Sequence, residues 1–108
     1  MTIALGELEQ LVLLGVLRVG DNAYGVPVHD ELQRCANRDL TLGTIYKTLT
    51  RLEEKGLVSS RVGAPTAERG GRRTRIYSVT PAGKRSLQAS LRTLQRMSAG
   101  LDVGLEPS

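Results

Sequence analysis

The sequence predicts a mainly α fold (α+β in class) carrying one small β-hairpin. Three observations predict it. Apolar residues recur at helical spacing in four segments. Two short alternating stretches, 57–62 and 75–80, flank a link rich in Gly and Arg. Thr, Pro and Gly stand where helices should begin and end. The chain has 108 residues, 40% of them apolar, which is enough for one domain with one core. With three Tyr and neither Phe nor Trp, that core must be aliphatic, and there are too few aromatics for a platform on which single-stranded bases stack.

The first helix is expected from about Leu5 to Val19. Leu5, Leu8, Val12 and Gly15 form one stripe, and Leu11, Leu14 and Leu17 a second. A helix with one buried face needs only one stripe. Either the second meets another copy of the chain, or the helix is central and covered all round. Gly20-Asp21-Asn22 breaks the chain, and a second helix follows over 25–36, with Pro27 in its first turn. Val28, Leu32 and Cys35 mark its inner face, with Ala36 beside them, so Cys35 reads as a small core residue. Thr41 is an N-cap for a third helix over 42–55, with Leu42, Ile45, Leu49 and Leu52 inward and Gly56 as its stop. The strands come next. Thr80-Pro81 then opens a last helix whose Leu87, Leu91, Leu94 and Leu101 keep a coiled-coil rhythm suited to a partner helix. This divides the chain into a unit over 1–80, a single helix over 81–101 and a frayed tail over 102–108.

Several kinds of chemistry are excluded by composition. One Cys and one His cannot make a disulfide framework or the usual zinc sets. No nucleophile–base set or phosphate cradle can be assembled, so neither an enzyme nor a cofactor is expected. His29 and Asp30 are neighbours in a helix and should point apart. Glu53-Glu54 reads as a solvated pair. The longest apolar run, Leu11 to Leu17, is too short to cross a bilayer. Glu7 and Glu9 precede it where a secretion signal carries Lys or Arg, which favours a cytoplasmic setting.

Charge is unevenly spread. Residues 1–58 carry 6 basic and 8 acidic side chains, whereas 59–96 carry 9 basic and 1 acidic. A segment this basic calls for a polyanion. Two short helices joined by a tight link, then a hairpin and a helix, form the winged helix-turn-helix order. Its second short helix lies in the major groove of DNA. The outer face of the third helix offers Gly43, Thr44, Lys47, Thr50 and Arg51: adaptable hydroxyls, cations for guanine or phosphate, and a glycine that admits close approach. The hairpin tip, Arg69-Gly70-Gly71-Arg72-Arg73-Thr74-Arg75, has four Arg in seven residues and no acid. Against a phosphate backbone each Arg displaces counterions.

The sequence resembles the PadR family of bacterial winged-helix transcriptional regulators. The resemblance rests on Leu-Gly-Glu-Leu-Glu-Gln-Leu-Val-Leu-Leu at 5–14, Ala-Tyr-Gly at 23–25, Leu-Gly-Thr-Ile-Tyr-Lys-Thr-Leu-Thr-Arg-Leu-Glu-Glu-Lys-Gly-Leu-Val at 42–58 and Arg-Ile-Tyr-Ser-Val-Thr-Pro-Ala-Gly at 75–83. It implies a homodimer on a pseudo-palindromic operator, usually a repressor. The positions matching the family's groove contacts are Gly43, Thr44, Tyr46, Lys47 and Arg51. It also implies dimerisation through the first and last helices, here Leu8 and Leu11 with Leu87, Leu91, Leu94 and Leu101. Tyr24 and Tyr77 match family positions and read as packing residues. The single C-terminal helix resembles the short subgroup. Some short members hold flat aromatic drugs between interface Trp side chains. With no Trp or Phe, a small-molecule inducer of this chain would need an aliphatic pocket. The alternative is a winged-helix adaptor that binds protein. It would carry an apolar patch on the third helix or wing, which the sequence does not show.

Overall fold

A computed structural model describes residues 3–65 and 73–101. Helix α1 spans Glu7–Val19 and is followed by one 3-10 turn, Gly20–Asn22. Then come α2, Gly25–Ala36; α3, Leu42–Glu54; strand β1, Val58–Pro65; strand β2, Arg73–Val79; and α4, Pro81–Ser98. The architecture is thus mainly α with one antiparallel hairpin, as expected. Thr41 caps α3 by accepting from the Thr44 N–H at 3.1 Å, and Thr80 caps α4 by accepting from the Gly83 N–H at 3.0 Å. Each such cap satisfies a backbone donor that the helix itself leaves without a partner.

The core gathers Val12, Leu13 and Val16 of α1, Val28 and Leu32 of α2, and Ile45, Leu49 and Leu52 of α3 around Leu57, Val58, Tyr77 and Leu87. It is aliphatic apart from Tyr77. Helix α1 touches α2, α3, β2 and α4, so it is the central helix of this chain. Leu13 and Val16, which lie on neither expected stripe, are its deepest residues together with Val12. Leu5, Leu8, Leu11 and Leu14 are half-buried against the core, and Leu17 stays exposed. Gly15 lets α2 come close: a Cβ there would lie 3.3 Å from a Val28 methyl.

Three expectations are corrected. The paired strands run on through Gly63, Ala64 and Pro65 to a Pro65–Arg73 pair, past an irregularity after Val62. Small residues carry no alternation to read, yet their backbone can still pair. Cys35 is exposed rather than in the core, its thiol donating to Glu31 Oε2 at 3.1 Å. The inward row of α2 continues from Leu32 to half-buried Ala36, which turns Cys35 outward. The last helix stops at Ser98. Gly100, at φ 77°, takes the chain into the left-handed region, so Leu101 lies beyond the helix and off its seam. The stretch 102–108 lies outside the described residues.

Helix α4 joins the core only through its first turns. Ser86 and Leu87 are buried, but every residue from Leu91 to Leu101 is exposed, with Leu94 at 57% and Met97 at 72%. Helices α1 and α2 are tied at the surface by Glu31, which accepts from Arg18 at 2.6 Å and Arg34 at 2.7 Å. Those guanidiniums, Arg18 first, and then the Cys35 thiol hold the Glu31 carboxyl at about 2, below its usual 4.5. A carboxyl depressed in the folded state stabilises the fold above its unfolded value, and that contribution is lost as pH falls through the folded one. The melting-temperature gap between the wild type and Glu31→Gln should therefore be full above about pH 4.5 and close by about pH 2. A gap independent of pH would contradict the tie.

Candidate nucleic-acid interface

The outer face of α3 is the surface that the sequence points to. Lys47, Thr50 and Arg51 are exposed, on the side opposite buried Ile45, Leu49 and Leu52. Gly43 is open: a Cβ there would meet only the Thr41 hydroxyl, at 3.9 Å. Thr44 is partly tied, because its hydroxyl accepts from Thr41 Oγ1 at 2.9 Å. Tyr46 turns away from this face. It is half-buried against the core, and its ring end sits where a Cβ on Gly25 would be, 2.3 Å away. Glycine at the start of α2 therefore sets how closely α2 and α3 cross.

Ion pairing sorts the charges. Among the described residues, every carboxylate paired with Arg or Lys lies on α1 or α2: Glu31 with Arg18 and Arg34, Glu7 with Arg38, and Glu9 with Lys55 at 2.6 Å. Burial would raise the Glu9 carboxyl, but hydrogen bonds from Lys55 and the Gly6 N–H, together with the charges of Lys55 and Arg51, outweigh it and hold it low. Lys47 and Arg51 on α3, Arg61 on β1, and Lys84, Arg85, Arg92 and Arg96 on α4 form no ion pair within the described residues. Acids thus pair with cations within the helical body, while Lys47 and Arg51 of α3, Arg61 of the hairpin and the cations of α4 stay outside these ion pairs. Such a distribution attracts polyanions.

Of the wing arginines, Arg69 and Arg72 lie outside the described residues, and Arg73 is known only as the first residue of β2. Arg75 is exposed, and its Nη1 donates to Ser60 Oγ at 2.9 Å. Ser60 in turn donates to Glu53 Oε2. Glu53 therefore has a partner on the hairpin that the reading of Glu53-Glu54 as a solvated pair missed. That contact spans the turn from α3 into β1, so it shows only once the two elements are assembled. His29 Nδ1 and Asp30 Oδ1 meet at 3.0 Å, so these neighbours do touch, at the helix surface. Adjacent side chains leave a helix well apart in angle, but each can still lean along the surface. Leu42, expected on the inner face of α3, is exposed instead, because it stands in the first turn ahead of the buried Ile45, and Val62 on β1 is exposed as well. No group of His, Cys, Asp and Glu able to hold a metal occurs among the described residues.

Helix α2, a short link, α3 and a two-stranded wing constitute a winged helix-turn-helix protein. A family model described as "Transcriptional regulator PadR-like family" matches residues 13–89, and the chain belongs to that family. It is a transcriptional regulator and not an enzyme. "Transcriptional regulator Rv3488" of Mycobacterium tuberculosis is 35% identical over 78 residues, which are 72% of this chain and 68% of that protein. A PadR-like transcription factor from Bacteroides fragilis superposes with a TM-score of 0.72 at 24% identity, over 88% of this chain and 86% of that one. A PadR family transcriptional regulator from Eggerthella lenta does so at 0.69 and 24%, over 94% and 88%. At that identity the likeness is one of fold.

Proposed function

We propose that the chain is a homodimeric repressor that binds a pseudo-palindromic operator in double-stranded DNA, in the cytoplasm. Residues 1–80 form the reading unit and 81–101 the dimerisation segment. Helix α3 enters the major groove with Gly43, Thr44, Lys47, Thr50 and Arg51, and Tyr46 steadies it from behind. The wing arginines Arg69, Arg72 and Arg73 grip phosphates. Phosphate contacts supply affinity, and groove contacts supply sequence choice. The observation that carries this reading is the exposed row of Lys47, Thr50 and Arg51 on α3, whose two cations have no acid paired with them. Anisotropy of a labelled random duplex tests it. Binding should be tight in dilute buffer and fall by orders of magnitude between about 50 and 200 mM salt. No binding in dilute buffer would sink it.

The dimer is supported by the second half of α4, which projects with Leu91, Leu94 and Met97 exposed. A groove of about 370 Å³ runs beside it, between Ile3, Ala4 and Leu5 and the α4 residues Ser90 and Leu94. In a dimer Leu8, Leu11 and Leu87, partly or fully buried already, back this surface rather than form it, and Leu101 meets the partner from beyond the helix. Leu91→Glu with Leu94→Glu should yield monomers by light scattering while leaving the helical spectrum intact. A persistent dimer would remove α4 from the interface. A small-molecule inducer would find a cleft of about 200 Å³ between α1 and α2, where Leu11, Leu14, Leu32 and Ala36 stand beside Arg18, Glu31 and Cys35.

A further inference from the structure

We propose that Ser60 joins Glu53 and Arg75 into a buckle that sets the angle between α3 and the wing, making Arg75 a positioning residue for operator choice rather than a phosphate contact. This inference rests on the DNA-binding reading above.

The three residues come from three elements: Glu53 from the last turn of α3, Ser60 from β1 and Arg75 from β2. Ser60 pairs with Tyr77 across the hairpin, and Arg75 with Val62. Ser60 and Arg75 are therefore diagonal neighbours on one face, within reach of a long side chain. A serine hydroxyl has one proton and free lone pairs. Here the proton goes to Glu53 Oε2 at 2.5 Å, and a lone pair accepts from Arg75 Nη1 at 2.9 Å. Both bonds involve a charged group, and such bonds are shorter and stronger than neutral ones. In a chain of this kind each bond polarises the next. The same face holds Tyr77, buried at the foot of the hairpin. Burial and then the Glu53 charge push its phenol up, in keeping with a carboxylate held close to that ring.

The Arg75 side chain thus differs from those of Lys47 and Arg51, which make no side-chain hydrogen bond to another described residue, whereas Arg75 donates to Ser60. Arg75 acts through Ser60: by occupying a lone pair of that oxygen it leaves the hydroxyl proton directed at Glu53, and Ser60–Glu53 is the bond of the three residues that ties the wing to α3. A two-stranded ribbon held at one end needs such a brace if its tip and the reading helix are to engage one duplex together. Sequence-independent backbone binding tolerates a looser angle; an operator complex does not.

The test begins with a duplex selected by the wild-type protein from a randomised pool. Affinity for that duplex and for a random duplex is measured at several salt concentrations for the wild type, Ser60→Ala, Ser60→Thr and Arg75→Met. The alanine and methionine variants should lose about tenfold on the selected duplex and under about twofold on the random one. Their dependence on salt should equal the wild type's, and Ser60→Thr, which restores the hydroxyl, should recover most of the loss. The inference is overturned if Arg75→Met lowers the salt slope by about 0.9, the signature of one lost phosphate contact. It is also overturned if either variant weakens both duplexes equally, or if Ser60→Ala matches the wild type. A wild type that selects no duplex fails the DNA-binding reading itself, before any variant is made.

Discussion

Gly83→Ala is expected to destabilise the fold by about 3 kcal/mol, the upper end of what overpacking usually costs. Gly83 sits in the first turn of α4, where a Cβ would lie 2.1 Å from the Leu57 carbonyl oxygen and 2.8 Å from a Val79 methyl. The obstacle is mainly backbone, and that backbone cannot retreat. The same Leu57 carbonyl accepts from the Thr80 N–H at 3.0 Å, and the Thr80 hydroxyl donates to the Gly56 carbonyl at 2.7 Å. The exit from α3, the foot of the hairpin and the start of α4 therefore meet at one joint with no slack. Small domains have only a few kcal/mol of stability to lose, so urea unfolding should show a sharply lower midpoint. Gly43→Ala is the control. Space is open there, so its midpoint should hold or rise, since alanine suits a helix better than glycine. An unchanged midpoint for Gly83→Ala would mean that the joint is looser than its geometry.

Removing both exposed cations of α3, Lys47→Ala with Arg51→Ala, is expected to weaken binding to the selected duplex by about a hundredfold or more. A lost groove contact costs about 1–3 kcal/mol, and the two act together. Stability should barely change, because neither side chain is buried or held in an ion pair among the described residues. Anisotropy titrations read the loss, and thermal melts confirm that the double variant is folded. Wild-type affinity in that variant would move the interface elsewhere on the molecule.

Local signals were the legible part of this fold. Thr41 and Thr80 announce two helix starts by chemistry that needs no tertiary partner, and both caps form. The inward Ile45, Leu49 and Leu52 of α3 and the exposed Lys47, Thr50 and Arg51 follow from helical period alone, whereas Leu42, which the same period puts inward, is exposed. Helix α1 was harder because nearly every position from Leu11 to Leu17 is apolar. A helix covered on several sides has no polar face to fix its phase, so Leu13 and Val16 were missed as core. On α2 the spacing fits both Cys35 and its neighbour Ala36, and of the two only Ala36 is half-buried. At the interface, the half-buried setting of Tyr46 depends on Gly25, and the bonding of Arg75 depends on strand register. Neither relation is visible before the elements are assembled.

The most direct test of groove reading by α3 is chemical. Methylation of guanine N7, an acceptor found only in the major groove, can be mapped on the selected duplex with and without protein. Two protected patches on one face of the helix, about 10 base pairs apart, are expected from a dimer presenting two reading helices. Guanines equally reactive in the bound and free duplex would contradict it.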